Sequence, residues 1–89
     1  MNLDKLKNKT ILLFGKPRAF SQEEFDSQMK HHQIEVVKEL NDSVFLSVDG
    51  RMMTPYEQNS SDALYEKGII GFLKIDVLER ELAKTIDKD

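Results

Sequence analysis

Hydrophobic and polar positions alternate along this chain in segments of two kinds, short apolar runs and longer amphipathic stretches. Four apolar runs predict β-strands, at Thr10–Phe14, 34–37, 44–48 and 69–73. The first run has no polar residue after Thr10 and is followed by Gly15. This pattern is typical of a strand that is buried on both faces at the centre of a parallel sheet.

Helix starts of one chemical kind lie between these runs. In each, a residue with a short side-chain oxygen is followed three positions later by Glu, and the pairs are Ser21 with Glu24, Thr54 with Glu57, and Asp76 with Glu79. The side-chain oxygen of the first residue can accept the backbone N–H of the Glu. The first residue's own backbone N–H can donate to the Glu carboxylate. Pro55 suits the first helical position. The predicted order is therefore β-α-β-β-α-β-α.

Apolar residues within the predicted helices recur at helical spacing. The first helix has Phe25 and Met29 one turn apart, and we expect it to end near His31 or His32. The faces of the other helices are Tyr56, Ala63 and Leu64 in the second, and Val77, Leu78, Leu82 and Ile86 in the third. Gly68 is placed to end the second helix in a left-handed conformation.

Residues 38–43 connect the second and third predicted strands, and Asn41 and Ser43 give them turn chemistry. About six residues usually join antiparallel neighbours, because parallel neighbours need a crossover of a dozen or more. An extended six-residue return spans roughly 20 Å, however, so two parallel strands fit if they lie on opposite sides of the first strand. The pattern leaves both arrangements open.

Length and composition restrict the possible classes of protein. The 89 residues suit one domain, and the absence of cysteine excludes disulfides, cysteine-ligated zinc and thiol catalysis. No apolar run approaches the roughly 18 residues of a membrane span, so we expect a cytoplasmic protein with no membrane partner. Because the sequence begins with Met1 and stops directly after the third predicted helix, we expect either a small free-standing protein or the N-terminal domain of a longer one.

The net charge of -3 is unevenly distributed. Residues 1–18 have five cations against Asp4 alone and so carry +4, which leaves -7 for the remaining residues. The cations are Lys5, Lys7, Lys9, Lys16 and Arg18. A basic arm would suggest nucleic acid, but the first strand, at about 3.3 Å per residue, separates the three N-terminal lysines from the other two. We therefore expect those three lysines to be solvated surface residues.

Two segments of the chain, residues 6–15 and residues 62–69, resemble motifs of the BRCT domain family. Residues 6–15 are similar to the family's opening segment. They consist of an apolar residue, a short basic turn and a strand that ends at Gly15. Residues 62–69, in which Ala63 is followed by Gly68 and the entry to the last strand, are similar to its second-helix pattern. The order of elements also agrees. The resemblance implies one α/β domain over residues 1–89, a three-layer α/β/α fold with a four-stranded parallel sheet in the order 2-1-3-4, helices one and three on one face and helix two on the other.

The resemblance implies a non-catalytic module that binds another protein, or another domain of its own chain, in DNA repair or replication. Many members of the family also bind a phosphate at the end of strand one, through a Ser or Thr hydroxyl, the next glycine's N–H and a lysine of helix two. Here Phe14 occupies the hydroxyl position, and residues 59–62, where the lysine would fall, contain no cation. The family's aromatic residue in helix three is replaced by Val77 or Leu78. We therefore expect a protein partner, with DNA 5′-phosphate binding as the alternative.

Candidate binding residues collect where the carboxyl ends of the predicted strands meet, the edge at which open parallel sheets bind ligands. They are Gly15, Lys16, Arg18, Arg51 and Thr54. A helix N-terminus beside cations favours anion binding. The Glu57 carboxylate in the first turn of the second helix, however, already interacts with the positive end of the helix dipole and would repel a phosphate.

The loop before the second helix also holds Met52 and Met53, which are candidates for partner contact. The alternative interpretation packs one of them under that helix. We find no catalytic constellation and no metal-ligand spacing in the sequence, so we expect no enzyme activity, no metal and no cofactor.

Overall fold

The structure, a computed structural model, describes residues 3–68 and 70–87. A 3₁₀ turn at Leu3–Leu6 precedes the strands and helices, which are β1 (Thr10–Phe14), α1 (Gln22–His31), β2 (Glu35–Val37), β3 (Val44–Asp49), α2 (Pro55–Lys67), β4 (Gly71–Lys74) and α3 (Ile75–Asp87). The predicted β-α-β-β-α-β-α order is confirmed. The predicted start of the fourth strand at Ile69 lies outside the described residues, as does the side chain of Ile86.

The four strands form one parallel sheet in the order β2-β1-β3-β4. Leu12 of β1 is opposite Val37 of β2 on one side and Ser47 of β3 on the other. The strands β2 and β3 therefore flank β1 without pairing to each other. This is the parallel arrangement that the short connection left open, and it is the sheet order that the sequence resemblance implied.

Alternate residues of β1 supply the cores on the two faces of the sheet. Ile11 and Leu13 belong to the larger core, which α1, α3 and the 3₁₀ turn cover and whose helical members include Phe25, Met29, Leu78 and Leu82. Leu12 and Phe14 belong to the smaller core under α2, with Val44, Met53 and Leu64. The structure thus has three layers, with α1 and α3 on one face and α2 on the other.

The first two predicted capping boxes are formed. Ser21 Oγ accepts the N–H of Glu24 at 3.1 Å, and Thr54 Oγ1 accepts the N–H of Glu57 at 3.1 Å. Gly68 ends α2 with φ 64°, the left-handed conformation that glycine adopts without strain. Within residues 3–68 and 70–87, no helix is both long enough and apolar enough to cross a membrane.

The predicted third capping box is wrong. The helix α3 begins at Ile75, immediately after β4 ends at Lys74, so Asp76 lies inside the first turn and does not cap it. Burial of Ile75 against the larger core holds the helix start at this position. Asp76 instead forms an ion pair with Arg18 at 3.1 Å. Glu79 is directed to the same loop and accepts backbone N–H groups there.

The second helix turns a less apolar face to the sheet than the spacing predicted. Tyr56, Ala63 and Leu64 do share a face, since all three line one groove beside the helix. Only Leu64 packs on the core, whereas Tyr56 and Ala63 are exposed. The residue of α2 that is fully buried is Ser61, whose hydroxyl donates to Asp49 Oδ1 at 2.6 Å. The hydrogen bond from Ser61 to Asp49 of β3 therefore attaches the middle of this helix to the sheet.

The central position of β1 gives a stability prediction. Leu13 is 0% exposed, so Leu13→Ala should lower the free energy of unfolding by about 2 to 5 kcal/mol through lost burial and the cavity left behind. Leu40→Ala is the matched control, because Leu40 is 57% exposed, and it should cost less than about 1 kcal/mol. Urea denaturation measures both, and equal losses would contradict the central placement of β1.

Candidate functional site

The loops that follow β1 and β3 lie side by side at the carboxyl edge of the sheet. The N–H of Lys16 donates to the carbonyl of Arg51, and the N–H of Arg51 donates to the carbonyl of Lys16, both at 2.8 Å. The N–H of Gly50 donates to the Phe14 carbonyl at 2.7 Å. These bonds bring Gly15, Lys16 and Arg51 together, as the sequence predicted.

Gly15 occupies a position that no other residue would fit. Its φ is 74°, and a Cβ there would collide with the carbonyl of Arg51 and press on the Met53 side chain. Its carbonyl accepts from Lys38 Nζ at 2.8 Å. Its N–H donates to Glu57 Oε2 at 2.7 Å. Both backbone polar groups of Gly15 are thus bound by side chains from other elements.

The Glu57 carboxylate lies at this edge, in the first turn of α2. Besides Gly15, it accepts the N–H of Thr54 at 3.1 Å through its other oxygen. The N–H of Gly15, and next that of Thr54, lower the pKa of the Glu57 carboxyl, because both bonds favour the charged form. The carboxylate therefore answers the positive end of the α2 dipole from within the chain.

Glu79 closes the remainder of the loop. Its Oε2 accepts three successive N–H groups, from Arg18 at 3.0 Å, Ala19 at 2.8 Å and Phe20 at 3.0 Å. Successive N–H groups of this kind form a concave anion-binding arrangement, here filled by a residue that is only 5% exposed. The sequence prediction missed this role. The available signal was an acid placed one turn after Ile75 and one turn before Leu82, among buried positions.

The backbone donors of the β1–α1 loop are all used within the chain. The loop comprises residues 15–21, in which Pro17 has no N–H. Gly15 donates to Glu57, Lys16 donates to Arg51, and residues 18–20 donate to Glu79. Ser21 donates to Glu24 at 3.0 Å. In this described loop no backbone N–H is left for a ligand, so a partner would meet side chains here.

The structure divides the predicted site residues into two groups. Arg18 is directed to Asp76 on α3, and Thr54 caps α2, so both are engaged within the fold. Lys16 and Arg51 are exposed and form no ion pair with the residues that the structure describes.

The two methionines also have different environments, as one of the alternatives from the sequence allowed. Met53 packs in the core beneath α2, whereas Met52 is 77% exposed.

A groove with both apolar and charged residues in its lining adjoins this edge, and the charged ones are Lys38, Glu39, Glu57 and Lys67. It has a volume of about 740 Å³, with Leu12 and Phe14 in its lining and the exposed side chains of Leu40 and Tyr56 at its borders. The sequence prediction did not include Leu40 in this groove. Leu40 lies in the connection between β2 and β3, and this connection crosses β1 on the α2 face only in the parallel arrangement, which the sequence left open.

No protein-family model and no curated protein matches this chain. Among residues 3–68 and 70–87, no three His, Asp or Glu side chains lie close enough to hold a metal ion.

Glu57 makes the stability of the fold depend on pH. Its pKa is below the ordinary 4.5 in the folded protein, so the folded protein binds fewer protons than the unfolded chain. The resulting stabilisation is fully present above pH 4.5 and is lost as the pH falls through the lowered folded-state pKa. In urea denaturation below pH 4.5, the free energy of unfolding of the wild type should therefore fall more steeply than that of Glu57→Gln.

The control for this pH series is Glu66→Gln, which removes an exposed carboxylate from the same helix. It should keep the wild-type slope. Parallel slopes for the wild type and Glu57→Gln would show that the Glu57 carboxylate does not hold the two N–H groups in solution.

Proposed function

We propose that this protein is a non-catalytic interaction module that binds an acidic segment of a partner protein with apolar side chains. The binding surface is the edge patch, defined as Lys16, Arg51, Met52 and Tyr56. The observation that carries this proposal is the exposure of Met52 and Tyr56, 77% and 80%, beside two cations without a described ion-pair partner.

The apolar part of the patch favours a protein partner. Met52 and Tyr56 are the most exposed of the large hydrophobic side chains that the structure describes. Tyr, Met and Arg are enriched in the cores of protein interfaces. Tyr56 also borders the groove, which is lined by Phe14 and Leu40 and has room for an apolar side chain of the partner. Burial of these surfaces would supply the hydrophobic part of the binding free energy.

The charge of the patch favours an acidic segment. Lys16 and Arg51 are held next to each other by their paired backbone hydrogen bonds. Carboxylates on a partner would complement them, and such complementarity raises the association rate and fixes the orientation of the bound segment. Because Glu57 and Glu79 already occupy the backbone donors, recognition depends on these two side chains.

The sheet order supports the proposal of a BRCT-like interaction module. The order β2-β1-β3-β4 and the helix arrangement are those that the resemblance to BRCT domains implies. We therefore propose that the module serves a DNA repair or replication protein in the cytoplasm, where its role follows from the protein or domain to which it binds.

The alternative function, binding of a DNA 5′ phosphate, has less support. Of the five residues predicted for anion or partner binding, Gly15 donates its N–H to Glu57, Arg18 is paired with Asp76, and Thr54 caps α2. Lys16 and Arg51 remain, and nucleic-acid binding normally draws on several phosphate contacts. The experiment below distinguishes the two functions.

A random peptide display library, selected on the 89-residue chain, tests the proposal. We expect enrichment of peptides that combine acidic with aromatic or aliphatic residues. The most enriched peptide, labelled with fluorescein, should bind the double variant Lys16→Glu with Arg51→Glu at least about tenfold more weakly than the wild type, because two attractive charges become repulsive.

The control is the double variant Lys5→Glu with Lys7→Glu, which makes the same change of charge at exposed positions before β1. It should bind the peptide as the wild type does. Failure to enrich acidic peptides, or equal losses in the two double variants, would contradict the proposal. Salt-dependent binding of 5′-phosphorylated duplex DNA that is lost with Lys16→Glu and Arg51→Glu, without peptide binding, would establish the alternative.

A further inference from the structure

Met52 has a backbone conformation that is unfavourable for a bulky side chain. Its φ is 57°, in the left-handed region. The described non-glycine residues with positive φ are Asn8, Gln33 and Met52. A residue with a Cβ is strained in this region, and glycine is the usual occupant. A methionine at this point is therefore unfavourable for the local backbone.

The neighbouring contacts explain why the chain turns here. Arg51 is fixed to Lys16 by two backbone hydrogen bonds, and Met53 packs beneath α2 and against Gly15. Thr54 then caps α2. Between these fixed points the left-handed turn at Met52 lets Met53 enter the core while the Met52 side chain stays exposed. The turn itself needs no side chain.

We infer that Met52 is the main contact residue of the edge patch, a role that rests on the proposed function. Strained backbone positions cluster at binding and catalytic sites, where the surrounding structure maintains them. The flexible, polarizable thioether adapts to varied apolar surfaces. The Met52 side chain packs against the aromatic or aliphatic residues of the acidic segment. Lys16, in the loop after β1, and Arg51, in the loop after β3, contact the carboxylates of that segment.

Substitution of Met52 by glycine separates binding from folding. Met52→Gly relieves the left-handed strain, so the midpoint of urea denaturation should rise above that of the wild type. The same variant loses the apolar contact, so the affinity for the selected peptide should fall at least about tenfold. A residue with a purely structural role would not move these two quantities in opposite directions.

Three further variants complete the experiment. Gln33→Gly has the same kind of backbone change at φ 60°, after α1, and should raise the midpoint without changing peptide affinity. Met52→Leu keeps an apolar side chain and should retain affinity within about threefold, whereas Met52→Asn tolerates the left-handed region but should bind as weakly as the glycine variant.

The outcomes distinguish this inference from the proposed function. If Met52→Gly and Met52→Asn bind the peptide like the wild type while Lys16→Glu with Arg51→Glu does not, Met52 is not the main contact and the proposed function stands. If none of these variants changes peptide affinity, the edge patch is not the binding site and both are overturned.

Discussion

The buried carboxylate of Glu79 is the contact on which the arrangement of the edge depends. A carboxylate out of water is costly unless its oxygens are bonded, and here one oxygen accepts the N–H groups of residues 18–20. Hydrogen bonds to a charged acceptor are stronger than those between neutral groups, although these three share a single oxygen. Glu57 makes the equivalent contact to Gly15 from the opposite layer. The end of β1 is thus held by both helical layers, α3 on one face and α2 on the other.

This internal closure determines what the edge can recognise. In an open parallel sheet the loops after the strands usually offer backbone N–H groups to an anion. Here Glu57 and Glu79 act as the chain's own anions, and the donors of residues 15–21 are used. The surface that remains consists of exposed side chains, two cationic and two apolar. This composition is the basis on which we propose a protein segment, and not a free phosphate, as the partner.

Much of the fold could be predicted from local patterns. The apolar run at Thr10–Phe14 located the central strand, and the spacing of Ser21 and Thr54 from their glutamates located two helix starts. Asp76 misled because its pattern is that of a cap, which would start the helix at Val77. Burial of Ile75, a tertiary effect, sets the helix start two residues earlier. The spacing of Glu79 among buried positions marked it as unusual, but the N–H groups that it accepts lie in a loop distant in sequence, so no short-range pattern contains that contact. The left-handed backbone of Met52 likewise follows the hydrogen bonds between Arg51 and Lys16, which are distant in sequence.

Amide hydrogen exchange at residues 18–20, followed by NMR in the wild type and in Glu79→Gln, tests this account most directly. We expect slow exchange of the three amides in the wild type and faster exchange in Glu79→Gln, because a neutral amide oxygen is a weaker acceptor than a carboxylate, with the Gly15 amide protected by Glu57 in both. Glu66→Gln, an exposed change of the same kind, should leave all four amides protected. Fast exchange at residues 18–20 in the wild type would contradict the closure of the edge by the chain's own carboxylates.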